Sequence, residues 1–298
     1  MKRPDPYRRI ACFVDETDPE LARAVAEAGV LLRHDDEVTV SVVHVAPERS
    51  VLTGGLTRWE IDRDDPERPV REWLAELTEG LEVERVIVCD RHPAEAAARW
   101  ADAHDADLLI AASAKNRIQR GFLGSFTTGL ATHARVPMLV IPPGVTLLGT
   151  PEGHPLEPPR YVACCIDESP AATAAVTEAR RVLPQGEGSR LTVVHAVIPP
   201  RPLRMRALTR LLPAPRGKVD RAREWLRDQA EHLPDAAGAL VVGPPRDVTD
   251  WAEEQGVELL VAGSRSGTGA SAPGAFARQL CLHAAMPVLL VPPPPEDG

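Results

Sequence analysis

Short apolar runs alternate with longer helix-like stretches along the whole chain. The runs are continuous rather than alternating, which is typical of strands in a parallel sheet that is covered on both faces. Their alternation with helix-like stretches indicates parallel strands joined by crossover helices. The predicted strands cover residues 9–14, 38–45, 83–89, 107–112 and 137–141 in the first half, and 161–166, 190–197, 238–242, 258–262 and 287–291 in the second. The helix-like stretches of the first half cover residues 19–33, 66–79, 93–104 and 124–133.

The chain repeats itself at about half its length. Residues 107–113 read DLLIAAS and residues 258–264 read ELLVAGS, an offset of 151 residues. A period this long predicts two tandem domains rather than a solenoid, whose units run to about 20 to 50 residues. We assign the first domain to residues 1–144, a linker rich in proline and glycine to 145–159, and the second domain to 160–298.

Composition and charge limit the classes of function. The 298 residues carry a formal net charge of −9, which argues against a nucleic-acid surface because such a surface needs basic residues to neutralise phosphates. No apolar run approaches the roughly 20 residues of a membrane-spanning helix, so no membrane contact is predicted. The first residues lead straight into a strand-like run without the longer apolar stretch of a secretory signal, so we expect a cytoplasmic protein.

Cysteines and histidines do not form a recognisable reactive or metal-binding pattern. None of the five cysteines has CxxC spacing, and they predict buried, reduced thiols. His44 and His195 are related by the 151-residue offset and predict packed, hydrogen-bonded histidines. The histidine spacing predicts no metal site. We find no Ser-His-Asp or Cys-His arrangement and assign no catalytic residue.

Polar residues follow the first strand of each half, where chemistry is expected. Ligands of an open parallel sheet bind outside the carboxyl ends of its strands. Asp15 and Asp167 come directly after these strands. Each residue has two interpretations, a ligand contact or a residue that braces the loop and helix that follow. Asp18 and Ser169 each precede a proline and are predicted to cap the first helix of their half.

Both halves resemble domains of the universal stress protein family. That family has a hydrophobic strand ending in Asp, a strand ending in a His-Val-like pair, a run similar to DLIVVGSRG, a helix that opens with Gly-Ser, and a last strand similar to PVLVV. The counterparts here are Asp15 and Asp167, His44 and His195, DLLIAAS and ELLVAGS, Gly124-Ser125 and Gly274-Ala275, and the runs PMLVIPP and PVLLVPP.

The resemblance implies a fold and a mode of assembly. The implied fold is α/β, with two tandem flavodoxin-like, or Rossmann-like, domains. Each domain would be a five-stranded parallel sheet of order 3-2-1-4-5 with helices on both faces. The resemblance also implies that the two domains pair through their fifth strands. A homodimer and an unidentified protein partner remain open.

The resemblance further implies ATP or a related nucleotide as ligand. Nucleotide-binding members carry a loop of Gly, two residues, Gly, nine residues, then Gly and Ser or Thr. Its glycines admit phosphate oxygens, and the helix amino end receives their charge. In the first half this spacing runs from Ala111 through Ala114 to Gly124, with alanines in place of two glycines. In the second half Ser266 replaces the second glycine, and seven residues separate it from Gly274.

The candidate contacts combine this loop with the ends of strands one and two. In the family, the Asp after strand one is associated with the adenosine part of ATP, and the backbone at the end of strand two with the adenine. The candidates are Asp15, Val45, Ala111, Ser113, Gly124 and Ser125 in the first half, and Asp167, Gly263, Ser264, Arg265 and Gly274 in the second.

The expected function is that of a regulatory stress-response module that binds ATP or a related nucleotide in one half. One alternative is a ligand-free protein-interaction scaffold, in which the altered loops only connect strand to helix. A second alternative is a slow nucleotide hydrolase. The altered loops and the lack of an evident general base argue against hydrolysis.

Overall fold

The structure is a computed structural model of the chain and forms two compact units. One comprises residues 6–157, and the other contains residues 158–298. We call them the N-terminal and C-terminal domains and describe each by itself. The described residues are 4–47, 65, 67–113, 124–144, 158–184, 186, 188–198, 216–233, 235–264 and 274–294. Most of the predicted linker and most of both predicted phosphate loops therefore lie outside the described residues.

The N-terminal domain alternates strands and helices throughout. Its strands are β1 (Arg9–Val14), β2 (Thr39–Pro47), β3 (Glu84–Asp90), β4 (Leu108–Ala112) and β5 (Met138–Ile141). Its helices are α1 (Pro19–Leu31), α2 (Arg68–Leu77), α3 (Pro93–Ala103) and α4 (Ser125–His133). These elements lie within two residues of the predicted bounds.

The five strands of this domain pair in the order β3-β2-β1-β4-β5, and every pair is parallel. Val14 at the end of β1 is opposite His44 of β2, and Phe13 is opposite Ala111 of β4. The strand order reverses at β1, so the connections that leave β1 and β4 diverge at the carboxyl edge. Such a divergence is where open α/β sheets bind ligands.

The C-terminal domain repeats this architecture. Its strands are β6 (Tyr161–Cys165), β7 (Arg190–Val197), β8 (Ala236–Val242), β9 (Leu259–Gly263) and β10 (Val288–Val291). Its helices are α5 (Pro170–Val182), α6 (Arg216–His232), α7 (Pro245–Glu254) and α8 (Ala275–His283). The strands pair in parallel in the order β8-β7-β6-β9-β10, which confirms the predicted 3-2-1-4-5 order in both domains.

Helices cover both faces of the N-terminal sheet, as neighbouring residues of β1 demonstrate. Side chains alternate between the two faces of a strand. Phe13 contacts the rings of Trp100 in α3 and Phe126 in α4. Cys12, one residue earlier, packs against Gly29 of α1 on the opposite face. The strand is buried because it is covered from both sides, which explains its continuous apolar sequence.

The two predicted helix caps have different outcomes. Oδ1 of Asp18 accepts a hydrogen bond from the backbone N–H of Leu21 at 3.3 Å, so Asp18 caps α1 as predicted. The predicted cap at Ser169 is wrong. Within the part of the chain that the structure describes, no side chain caps α5, and the Ser169 hydroxyl donates to Asp167 instead.

The predicted burial of the cysteines holds for four of the five. Cys12, Cys164, Cys165 and Cys281 are buried, whereas Cys89 is exposed. The prediction is wrong for Cys89 because β3 lies at the end of its domain's strand order. All residues of this strand are half-buried or exposed, although its middle is the apolar run VIVC.

Candidate functional site

A cavity of about 600 Å³ opens at the carboxyl edge of the N-terminal sheet. It lies at the predicted divergence, where β1, β2 and β4 end and α4 begins. Five of the six candidate residues of this half line it together: Asp15, Val45, Ser113, Gly124 and Ser125. The positions of these residues in the chain alone left open whether they meet, and the structure brings them to one cavity.

A hydrogen-bonded turn orients Asp15 at this cavity. Its Oδ1 accepts hydrogen bonds from the Thr17 backbone N–H, at 2.8 Å, and from the Thr17 hydroxyl. This is an Asx turn, a local hydrogen-bonded structure that an Asp side chain can form in place of a continued strand or helix. Asp15 itself is exposed, and Thr17 and Asp18 line the same cavity. The carboxylate is therefore both braced by its own loop and accessible to a ligand.

His44 joins the ends of β1 and β2 directly before Asp15. Its Nδ1 lies 3.0 Å from the carbonyl oxygen of Val14, and because a carbonyl can only accept, Nδ1 carries the proton and donates. The other ring nitrogen lies 3.6 Å from Oε2 of Glu16, and the ring packs edge-on against Trp73. His44 is 5% exposed, so the predicted packed, hydrogen-bonded histidine is confirmed. Its role at the site is to position the strand end.

The amino end of α4 forms the opposite wall of the cavity. Gly124 has φ 77° and ψ 143°, a conformation that favours glycine, and α4 begins at Ser125. Among the described residues, no side chain caps this helix. The amino end of a helix carries backbone N–H groups without intrahelical partners and suits an anion. Thr127 donates to the carbonyl oxygen of Ala112 at 2.6 Å, which holds the helix against the end of β4.

The remaining candidate of this half, Ala111, does not line the cavity. Ala111 is 1% exposed and pairs with Phe13 and Val140 inside the sheet. The next residue, Ala112, lines the cavity in its place, since consecutive residues of a strand face opposite sides. If the family pattern is counted from Ala112, its second glycine position is residue 115, and eight residues rather than nine separate that position from Gly124. The pattern fits the sequence only when it is counted from Ala111, one residue before the residue that lines the cavity.

The C-terminal domain has a smaller cavity at the matching edge. It measures about 210 Å³, and the candidates Asp167, Gly263 and Gly274 line it. Ser264 is buried directly after β9, where its N–H donates to the carbonyl oxygen of Val291 at 2.7 Å, and it is not among the lining residues. Arg265 lies outside the described residues. Asp167 repeats the turn of Asp15, with the Ser169 backbone N–H donating to its Oδ1 at 2.9 Å.

Gly263 has a packing role that explains its identity. A Cβ at this position would lie 2.9 Å from Cβ of Ala171, which is closer than real Cβ atoms approach one another. Glycine is therefore required for α5 to approach the end of β9. The leading glycine of the loop sequence is explained by helix packing alone, without a phosphate.

A cysteine and a histidine, Cys165 and His195, line the smaller cavity. Burial raises the pKa of the Cys165 thiol to about 12, and the charge of Asp167 adds to the rise. A neutral thiol is a poor nucleophile at physiological pH. Nδ1 of His195 donates to the carbonyl oxygen of Ile166 at 3.0 Å, so this ring joins two strand ends as His44 does. In the part of the chain that is described, no group of three His, Cys, Asp or Glu side chains could hold a metal ion.

The sequence reasoning missed one residue that both cavities share. Phe126 lines the cavity of the N-terminal domain and Phe276 lines that of the C-terminal domain. Each phenylalanine follows the loop glycine by two residues, at the 150-residue offset that also relates His133 to His283. The sequence repeat contains this pair of phenylalanines. A comparison of the two halves one residue beyond Gly124-Ser125 and Gly274-Ala275 would have found it.

The fold defines a chain of two doubly wound α/β domains, each with a cavity at the carboxyl ends of its strands. A comparison with protein families assigns the chain more closely. The profile of the Universal stress protein family matches residues 6–142 and again residues 160–292. The chain therefore belongs to the universal stress protein family and carries two tandem copies of its domain.

Solved structures share this tandem architecture. A universal stress protein from Archaeoglobus fulgidus DSM 4304 is 16% identical, with a TM-score of 0.66, and the match covers 97% of each chain. A functionally unknown protein from Pseudomonas aeruginosa PAO1 is 13% identical, with a TM-score of 0.61, and the match covers 96% of this chain and 93% of that one. At these identities the likeness concerns the fold.

A search of curated proteins found no match. Among the described residues, no helix is both long enough and apolar enough to cross a membrane.

Proposed function

We propose that this tandem universal stress protein is a regulatory module whose N-terminal domain binds ATP or a related adenine nucleotide. The observation that carries the proposal is the cavity of about 600 Å³ at the carboxyl edge of that domain. A braced carboxylate, the end of β2 and an uncapped helix amino end converge on it. Ligand pockets are typically concave, few per protein and roughly 300 to 1,000 Å³ in volume.

The N-terminal domain is the better candidate of the two. Its cavity has nearly three times the volume of the cavity in the C-terminal domain, which holds about 210 Å³. It also presents the Ser125 hydroxyl at the helix start, where the C-terminal domain has Ala275. A hydroxyl and free N–H groups can both donate to phosphate oxygens, whereas a methyl group cannot.

The described lining of the cavity is acidic, so the positive charge for a bound triphosphate would have to come from the loop. Asp15 and Asp18 are acidic, and no described lining residue is basic. A triphosphate therefore needs cations beyond the helix amino end. Lys115, Arg117 and Arg120 are in the intervening loop sequence, outside the described residues. We assign phosphate neutralisation to these three residues.

Isothermal titration with ATP and ADP tests the proposal on matched variants. Asp15→Asn should weaken binding roughly tenfold or more, because it removes a charged acceptor from the site. Asp167→Asn makes the same change in the same local turn of the other domain and should leave binding unchanged. Absence of heat from the unmodified protein would remove the nucleotide from the proposal, and a loss confined to Asp167→Asn would assign the site to the C-terminal domain.

One observation favours a ligand-free interaction scaffold as the second candidate. Ala112 brings a methyl group to the edge where the other domain has Gly263, and methyl groups obstruct close phosphate approach. Mass spectrometry of small molecules released from the freshly purified, denatured protein separates the two functions. A nucleotide in amounts comparable to the protein supports binding. An empty protein that also gives no heat with ATP supports the scaffold.

A further inference from the structure

The N-terminal domain has a second cavity at the opposite edge of its sheet. It measures about 290 Å³ and lies where β1 and β2 begin and α3 ends. Arg9, Ala11, Ser41, Glu84 and Trp100 are among its lining residues. It shares no lining residue with the cavity at the carboxyl edge, so it is a separate site.

One wall of this cavity is aromatic. The indole of Trp100 stacks on the imidazole of His104, with ring centroids 4.2 Å apart and ring planes 19° apart. Nδ1 of His104 donates to the carbonyl oxygen of Trp100 at 2.8 Å, which fixes the imidazole in place. The small side chain of Ala11 forms the floor on the sheet. A flat, apolar ring suits such a wall because aromatic pairs stack or meet edge to face.

The polar groups of the cavity are a hydroxyl and a carboxylate. The Ser41 hydroxyl, which is buried, donates to Oε2 of Glu84 at 3.0 Å. Arg9 lies at the surface, where its guanidinium donates to the carbonyl oxygen of His104 at 3.2 Å and pairs with Asp105 at 2.8 Å. The cavity therefore joins an aromatic wall to one pair of hydrogen-bonding side chains.

The C-terminal domain shows which side chain occupies the equivalent position on its own sheet. The backbone pairing identifies the counterparts, since Asp107 N–H donates to the carbonyl oxygen of Arg9 and Glu258 N–H donates to that of Tyr161, both at 2.9 Å. Tyr161 thus occupies the place of Arg9. By the same register Thr192 of β7 occupies the place of Ser41 of β2.

In the C-terminal domain the Tyr161 side chain fills this space. The residue is 7% exposed, and its hydroxyl lies 3.3 Å from Oγ1 of Thr192. The guanidinium of Arg190 lies 4.2 Å from the centre of the ring. In the N-terminal domain the corresponding side chain, Arg9, is half exposed and turns to the surface, and no tyrosine is among the described residues that line the cavity.

We infer that the cavity lined by Ser41, Glu84 and Trp100 is a binding site for a small phenol. The ring would take the place that the Tyr161 ring takes in the C-terminal domain. Its hydroxyl would donate to Oγ of Ser41, whose own hydroxyl donates to Glu84. A cavity of about 150 Å³ in another protein holds benzene, so this one has room for a substituted ring.

Titration with 4-fluorophenol, followed by ¹⁹F NMR on the full chain, tests the inference. The unmodified protein should shift and broaden the fluorine signal in a saturable manner. Arg9→Tyr places a phenol ring where Tyr161 has one, and should weaken binding at least tenfold. Arg8→Tyr makes the same change at the neighbouring residue, which does not line the cavity, and should leave binding unchanged.

A second variant keeps the inference testable if Arg9→Tyr does not fold. Ser41→Ala removes the hydroxyl with little change in volume. It should remove most of the preference for p-cresol over toluene, which we expect to be about fivefold in the unmodified protein from one hydrogen bond. Absence of saturable binding by the unmodified protein overturns the inference, as does equal binding by Arg8→Tyr and Arg9→Tyr. ATP titration of Arg9→Tyr reads out the other cavity separately.

Discussion

At the scale of single residues, Gly124 and Gly274 are matched in sequence but differ in backbone conformation. Gly124 has φ 77° and ψ 143°, whereas Gly274 has φ −58° and ψ 153°. We expect Gly124→Ala to lower the free energy of unfolding by about 1 to 3 kcal/mol, because L side chains are strained at positive φ. Gly274→Ala should change it by less than about 0.5 kcal/mol. Urea denaturation measures both, and equal effects would contradict the argument.

Burial of the Cys281 thiol predicts a dependence of stability on pH. Desolvation raises its pKa to about 12, well above the ordinary value of a thiol. Between about pH 9 and pH 12 the unfolded chain loses this proton while the folded protein retains it. The unfolded state then binds fewer protons, so stability falls as pH rises, by up to about 1.4 kcal/mol per pH unit for one thiol.

Urea denaturation at pH 8, 9, 10 and 11 measures this dependence. Cys281→Ala should make the decline above pH 9 shallower than in the unmodified protein. Cys89→Ala, at an exposed cysteine, controls for the loss of a thiol from the chain. A Cys281→Ala slope that equals that of the unmodified protein would show that the thiol does not contribute.

At the scale of secondary structure, the packing of α1 on the sheet depends on Gly29. A Cβ at this position would overlap Sγ of Cys12 and lie 2.9 Å from Cγ1 of Val40. Gly29→Ala should therefore lower the free energy of unfolding by about 1 to 3 kcal/mol, as overpacking does. This is opposite to the gain of up to about 1 kcal/mol that Ala normally gives inside a helix.

Gly217→Ala is the matched control for this prediction. Gly217 is in α6, and a Cβ there would meet no atom within 4 Å. Chemical denaturation should show a neutral or stabilising change for Gly217→Ala and a loss for Gly29→Ala. If the loss comes from the overlap, Cys12→Ala in the Gly29→Ala background should recover part of it. If the free-energy changes of the two substitutions simply add in the double variant, the overlap is not the cause of the loss.

The helices and strands themselves were predictable because their signals are local. A buried parallel strand requires a continuous apolar run, and a helix that follows Asp-Pro begins where the proline permits it. The predictions failed where a neighbouring side chain, or the position of a strand in the sheet, determined the structure. Ser169 caps no helix because the Asp167 carboxylate takes its hydroxyl, and Cys89 is exposed because its strand is at the end of the domain's strand order.

At the scale of the whole molecule, the charge predicts weak contact with nucleic acid. The formal net charge of −9 opposes a polyanion, because binding requires basic residues that displace counterions. We expect the protein to pass through a heparin column in about 0.1 M salt. Retention that falls with added salt would contradict this and would direct attention to the arginines between residues 201 and 216, which lie mostly outside the described residues.

The sequence by itself determined the duplication, the fold of each domain and the edge of the sheet where ligands would bind. The duplication and the alternation of strands and helices follow from the repeat and from apolar periodicity, and the strand order that places the ends of β1, β2 and β4 together follows from the resemblance to universal stress proteins. The resemblance to universal stress proteins came from the same positions. Asp15, Val45, Ser113, Gly124 and Ser125 were identified in this way.

Only the tertiary structure decided what each of those positions does. It placed Ala112 rather than Ala111 at the cavity, because consecutive residues of a strand face opposite sides of the sheet. It gave Gly263 a packing role, since the approach of Ala171 comes from another helix. It also showed that the cavity at the carboxyl edge of the N-terminal domain is nearly three times as large as that of the C-terminal domain. Such volumes arise from contacts among residues far apart in sequence, and a linear pattern does not contain them.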